Sequence, residues 1–266
     1  MQIIIPTKGR ISNQLTYENL PPELQRNTTI VCPKIEAFWH KQKRPLATIV
    51  VQPENGMGIS EKRQWIVMEM ATEDKIVMLD DDLRYAVRRT DDPGLFRAAT
   101  PEDVLQAFKE LEEILCEETP HAGFAVRGMS IGDFAKLGGW QKGKRSIYSL
   151  GYFLPIVKFW AEFGRVRTHE DIDVTLQLLE MGFPNLINFS FVTDQKFGSV
   201  GGCTNERTVE INDADCQKLV ELHPDYVTAE AKTYKNSPSR LEVRVQWVKA
   251  MTDGIAFRTE WLKTQK

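Results

Sequence analysis

The run Ile76-Val77-Met78-Leu79 passes without a break into Asp80, Asp81 and Asp82. An unbroken apolar stretch of this length fits a strand buried on both faces, the environment of an interior strand in a parallel α/β sheet. Ligands of open α/β sheets bind outside the carboxyl ends of the strands, so three carboxylates there stand where a ligand is met. Three adjacent negative charges repel one another unless a cation or hydrogen bonds offset them. An all-oxygen set suits Mg²⁺ or Mn²⁺, with a diphosphate completing the shell and Asp82 as a direct ligand. The plainer alternative is turn chemistry, in which acidic residues end a strand and cap the next element.

The residues before this run have the rhythm of a parallel sheet flanked by helices. Strands are expected at Ile3–Ile5, Thr28–Cys32, Ala47–Val51 and Lys75–Leu79, the last central in the sheet. Helices are expected at Ile35–Lys41 and Ile59–Ala71. Downstream, Pro101 with Glu102 and Asp103 opens a helix running to about Cys116, acidic at the positive end of its dipole. Strands at Gly123–Val126, Ile147–Phe153, Ile187–Val192 and Leu241–Val248 follow, with helices at His169–Met181, stopped by Gly182, and Asp213–Leu222. With 266 residues and 42% hydrophobic content, one α/β domain with a C-terminal elaboration is expected. Its two halves, residues 1–82 and 83–266, divide after the acidic run.

A net charge of −3 means that a polyanionic partner must be held by local basic patches. Cys32, Cys116, Cys203 and Cys216 are scattered without a CxxC pair, which fits reduced structural thiols. No apolar run reaches the roughly 20 residues of a membrane span, and the N-terminus lacks a signal-peptide pattern. A soluble cytoplasmic protein with no membrane partner is the expectation.

Four further segments can carry chemistry. Pro6-Thr7-Lys8-Gly9-Arg10 follows the first strand; Gly9 permits close backbone approach, and Lys8 and Arg10 bring charge near phosphate. Alone it is a surface turn. Gly56-Met57-Gly58 leads into a helix start with Ser60, Lys62 and Arg63, either an anion site or a solvated helix face. Thr168-His169-Glu170-Asp171 with Asp173 crowds ionisable groups at one helix start. Thr168 and Asp171 there imitate a capping box, and His169 is more often a packed residue than a ligand. Lys196 to Thr208, with Gly198, Gly201, Gly202 and Arg207, follows Asp194 and reads as a long loop, either a flap or plain surface.

These motifs together resemble the GT-A glycosyltransferases. The family's DXD motif, matched by Asp80–Asp82, holds a divalent cation against a sugar-nucleotide diphosphate. The resemblance implies that Pro6, Thr7, Lys8, Gly9 and Arg10 cradle the nucleotide, that Arg63 lies close to it, and that Asp80 and Asp81 face the donor. Asp80 and Asp82 hold Mn²⁺ or Mg²⁺, Asp80 directly or through water. Asp171 becomes the general base of an inverting transfer with Glu170 beside it, and the loop bearing Lys196 and Gly201 closes over the diphosphate.

Within that class, His169–Asp173, the Lys196–Arg207 loop and the following Glu221-Leu222-His223-Pro224 resemble the bacteriophage TET-associated glycosyltransferases. This implies a UDP-sugar donor and a hydroxymethylated pyrimidine, 5-hydroxymethylcytosine, in DNA. Three basic clusters suit phosphate contacts: Lys41, Lys43 and Arg44; Arg84, Arg88 and Arg89; and Lys142, Lys144 and Arg145. Trp140 can stack on a flipped base. Each cluster read singly is an ordinary solvated surface. Other readings are a GT-A transferase acting on a glycan, lipid or small molecule, a nucleotidyltransferase, and a non-catalytic DNA-binding module. The oligomeric state is not legible.

Overall fold

The structure, a computed structural model, describes residues 1–130, 132, 135–145, 148–195, 208–234 and 237–265. Strands β1 (Gln2–Pro6), β2 (Thr28–Cys32), β3 (Thr48–Val51) and β4 (Lys75–Leu79) alternate with α1 (Leu15–Glu18), α2 (Pro22–Arg26), α3 (Lys34–Lys43) and α4 (Ile59–Trp65). Helix α4 continues as a π-helical turn over Ile66–Met70. There follow β5 (Leu83–Arg88), β6 (Phe96–Ala98), α5 (Pro101–Ile114), β7 (His121–Val126), β8 (Trp140–Lys142) and β9 (Ser149–Phe153). The chain then forms α6 (Leu154–Trp160), α7 (Glu170–Glu180), β10 (Leu186–Gln195), α8 (Val209–Leu222), β11 (Val227–Tyr234), β12 (Ser237–Val245) and α9 (Trp247–Thr264).

The main sheet runs β3-β2-β1-β4-β9-β7-β10-β5-β6, with β8 also paired to β10. Its first four strands are mutually parallel, β7 and β10 are parallel, and β9 and β5 run against their neighbours. Strand β1 has β2 on one side and β4 on the other, so the order reverses there and opens a crevice at the carboxyl ends of β1 and β4. Ile4 stands opposite Met78, and the segments Thr7–Arg10 and Asp80–Asp82 therefore leave the sheet side by side.

Alternation along these strands builds two core layers. Ile3, Ile5, Val77 and Leu79 face Phe108, Leu111, Phe124 and Phe191. Ile4, Ile76 and Met78 face Ile66, Val67, Leu150, Val157, Val174 and Leu178. Strand β4 is thus apolar throughout because both of its faces are covered, as expected for a central strand. Helix α7 is buried on a second side too: Ile172, Leu176 and Leu179 pack against Leu219, Val227 and Ala250. The C-terminal hairpin and α9 therefore complete the core around α7 and join the same body. At the closest approach of α7 and α9, a Cβ on Gly254 would lie 1.9 Å from the Leu179 carbonyl oxygen.

Several expected elements differ. The helix expected over Ile59–Ala71 is α-helical to Trp65 and π-helical beyond it. Strand β5 was not anticipated because its arginines interrupt the apolar pattern: Arg84 points out while Arg88 points in. The strand expected at Leu241–Val248 lies earlier, and Trp247 and Val248 instead begin the 18-residue helix α9. Ile147 lies outside the described residues, and the strand expected from it is seen from Ser149. Among the described residues, no helix is long and apolar enough to cross a membrane.

Candidate active site

The loops after β1 and β4 are tied together at the crevice. Thr7 donates its hydroxyl to Asp81 Oδ2 at 2.5 Å, and Lys62 Nζ donates to the Thr7 carbonyl at 3.2 Å. Arg10 lies 3.0 Å from both Asp81 Oδ1 (through Nε) and Asp82 Oδ2 (through a terminal nitrogen). Gln195, ending β10, donates to Asp82 Oδ1 at 2.7 Å. Gly9 takes the positive φ of 73° that the turn requires and donates its amide to Glu36 at 2.9 Å. Burial pushes the Asp81 carboxyl up to about 6 against the opposing pull of the Thr7 hydroxyl and Arg10.

The three aspartates are therefore unequal. Asp81 and Asp82 are turned inward and offset by Arg10, whereas the Asp80 side chain keeps 24% of its surface exposed. Arg63, 3% exposed, donates one terminal nitrogen to Asp80 Oδ1 at 2.7 Å and the other to Glu170. Burial works against its charge, but Glu170 and Asp80 outweigh it and hold the guanidinium more firmly protonated than usual. One buried guanidinium thereby joins the Asp80 carboxylate after β4 to the start of α7.

Asp171 follows Glu170 and is also buried. Arg145 donates Nε and a terminal nitrogen to its Oδ2 at 3.1 and 2.9 Å. Burial alone would raise this carboxyl, but Arg145, then Arg63, hold it below the usual carboxylate range, so it is ionised at neutral pH. Asp173 is engaged elsewhere, by His223 at 2.8 Å and Arg165 at 3.1 Å. His169, at φ 64°, is the residue that caps α7, and its ring meets Asn212 at 3.1 Å. The capping box expected from Thr168 does not form; Thr168 donates its hydroxyl and its amide to Asp215, each at 2.7 Å.

A divalent cation was expected at Asp80 and Asp82. The donor set is hard oxygen, which suits Mg²⁺ or Mn²⁺, and Asp80 is open enough to take one. Both Asp82 oxygens are already bonded, one to Arg10 and one to Gln195, so an ion there has to displace one of those partners. Among the described residues, no group of three or more His, Cys, Asp and Glu side chains is gathered as a metal cage.

The crevice gathers Pro6, Thr7, Arg10, Arg63, Asp80, Asp81, Asp82, Glu170 and Asp171 through these bonds and the β1–β4 pairing. Arg10 lies beneath the carboxylates and does not point outward as a phosphate ligand, because two acidic groups compete for it. Lys8 is half-buried on the same loop. Lys196 and Gly201 lie outside the described residues. Gln195 and the pairing of Arg145 with Asp171 were not anticipated, since both join positions far apart in the chain.

The basic clusters divide. Arg84 and Lys142 are exposed and Lys144 is half-buried. Arg89 is paired with Asp91, and Arg145 with Asp171. Arg88 departs from the expected DNA contact: it is buried and donates to the carbonyls of Phe189, Pro93 and Ser130. Arg44 is likewise buried, 3.3 Å from Glu18. Trp140 is half-buried, bonded through Nε1 to Glu110 at 3.2 Å and tilted against Phe124, so part of its ring packs on the core.

This architecture has known counterparts. Over 84% of the chain the fold matches a mannosyltransferase of Pyrobaculum calidifontis solved in complex with GDP-Man and Mn²⁺, at 12% identity and a TM-score of 0.52. The chain spans 64% of that protein's length. A weaker likeness, 10% identity and a TM-score of 0.44 over 83% of this chain and 66% of the other, is to residues 1–349 of Staphylococcus aureus TarS. No curated protein matches the sequence. The family model of the TET-associated glycosyltransferases matches residues 1–202, which takes in both loops of the crevice, Arg63, the start of α7 and all of the main sheet. The chain has the GT-A fold and belongs to the TET-associated glycosyltransferase family.

Proposed function

We propose that the enzyme transfers a sugar from a nucleotide sugar, a UDP-sugar, to a hydroxymethylated pyrimidine in DNA, 5-hydroxymethylcytosine, with inversion at the sugar carbon. The observation that carries this reading is Arg63, which spans Asp80 on the donor side and Glu170 beside Asp171. A donor held at Asp80 then has a buried, ionised carboxylate within one side chain's reach.

Residues 1–82 form the nucleotide-binding half. Thr7, Lys8 and Gly9 cradle the nucleotide, Asp80 contacts the donor, and Arg10 and Arg63 keep the crowded carboxylates charged and oriented. Asp80 and Asp82 would hold a Mg²⁺ or Mn²⁺ ion, which when bound would offset the negative charge of the departing diphosphate. Residues 83–266 present the acceptor. The Asp171 carboxylate takes the proton of the hydroxymethyl group as that oxygen bonds to the anomeric carbon. The bond from that carbon to the diphosphate oxygen breaks with its electron pair, releasing the nucleoside diphosphate.

A general base must be ionised at the working pH, and Arg145 secures this for Asp171. The same pairing lowers the basicity of Asp171, so the acceptor has to draw the carboxylate partly away from Arg145 as it binds. The flap expected over Lys196–Arg207 would exclude water from the sugar.

The test is mass spectrometry of nucleosides from hydroxymethylcytosine-containing DNA incubated with the protein, Mn²⁺ and a panel of nucleotide sugars. A nucleoside heavier by one sugar residue is the expected product. Donor consumption with no heavier nucleoside would discard the DNA acceptor and favour a glycan, lipid or small molecule.

A further inference from the structure

A cleft of about 470 Å³ opens beside the base, walled on one side by the sheet and on the other by the start of α9. Its lining includes Phe189, Lys144 and Arg145 from the sheet side and Trp247, Val248 and Lys249 from the helix. We propose that this cleft receives the acceptor nucleotide, its base against the half-buried Trp247 ring and its phosphate near Lys144. The proposal rests on the reading of DNA as the acceptor and adds where and by which residues it is held.

Three observations support the assignment. The cleft has the volume of a small-molecule site and a largely apolar wall with a few cationic groups, and none of its lining residues is acidic. Basic side chains suit a phosphodiester, although Arg145 is shared with Asp171 and Lys249 with Asp253, and the Trp247 ring suits a base of any sequence. Arg145 both lines the cleft and holds Asp171, so an occupant has the base one guanidinium away.

The helical wall is also firmly seated. Gly143 turns at φ 61°, and a Cβ there would lie 3.3 Å from the end of Met251 and 3.7 Å from the Val248 backbone. Gly254 lets α9 approach Leu179 of α7 closely enough that no side chain fits between. The helix carrying Trp247 is thereby fixed to the helix carrying Asp171. Residues 245–249 lie beyond the segment matched by the family model. One wall of the cleft is thus supplied from outside that segment, while Ala125, Lys144, Arg145 and Phe189 of the other wall lie within it.

The experiment measures KM for a short single-stranded oligonucleotide carrying one hydroxymethylcytosine, using the full chain and the variants Trp247→Ala, Val248→Glu and Lys144→Glu. Nucleoside diphosphate affinity, read by calorimetry, reports whether the donor half is intact. Val248 is 55% exposed, so its variant tests the cleft even where Trp247→Ala does not fold. Loss of a stacking surface or a phosphate contact should raise KM about tenfold or more, with diphosphate affinity unchanged. Unchanged KM in Val248→Glu and Lys144→Glu, with the wild type modifying the oligonucleotide, would overturn the cleft assignment and leave the DNA reading standing. A wild-type enzyme that consumes donor without modifying the oligonucleotide would overturn both.

Discussion

Arg145 places two nitrogens on a single oxygen of Asp171, at 3.1 and 2.9 Å, inside a region where the carboxylate is almost wholly removed from water. A buried acid without that partner would hold its proton to higher pH. Arg145→Met should therefore raise the Asp171 carboxyl, and the acid limb of the kcat profile should move to higher pH. Arg145→Lys keeps the charge and should shift the limb less. A limb unmoved in both variants would assign it to another group.

Arg63 neutralises Asp80 and Glu170 together. Removing one partner of a buried ion pair leaves the other uncompensated, which costs about 3–5 kcal/mol. The partial exposure of Asp80 puts Arg63→Ala toward the lower end of that range. Urea denaturation of the variant checks this. Stability equal to wild type would mean that water already solvates the pair.

Helix α9 packs on α7 through Gly254. A Cβ there meets backbone and not a flexible side-chain end, so Gly254→Ala should cost at least the roughly 1–3 kcal/mol typical of overpacking. Thermal unfolding reads the loss. An unaltered Tm would show that the two helices separate without penalty.

Asp82→Ala should abolish the Mn²⁺-supported turnover, because it deletes one of the two oxygen ligands proposed for the ion. Turnover measured across a Mn²⁺ titration decides this. A wild-type response would take Asp82 out of the ligand set and leave it as the partner of Arg10 and Gln195.

The parts that were legible in the sequence are those dictated by local pattern. Ile3–Ile5 and Ile76–Leu79 are unbroken because both faces of their strands are covered, and the acidic and Thr7–Arg10 loops follow because they sit at the strands' carboxyl ends. Charge alone did not reveal direction. Arg88 and Arg44 look like neighbours of Arg89 and Lys43 in the chain, yet burial and backbone carbonyls claim the first, and burial with Glu18 the second. Trp247 continues the apolar alternation of Leu241, Val243 and Val245, which is why a strand is expected to run past the end of β12. Only the close approach of Leu179 explains why glycine is needed inside α9. The Arg145–Asp171 and Gln195–Asp82 bonds link segments that the topology brings together, which no spacing rule encodes.

The most direct test of the central claim is the kinetics of Asp171→Asn with hydroxymethylcytosine-containing DNA and the donor. The asparagine keeps the shape but cannot accept the acceptor's proton, so the transfer rate should fall by about 10²–10⁴-fold while donor affinity stays close to wild type. An unchanged transfer rate would contradict the account and reduce Asp171 to a structural partner of Arg145.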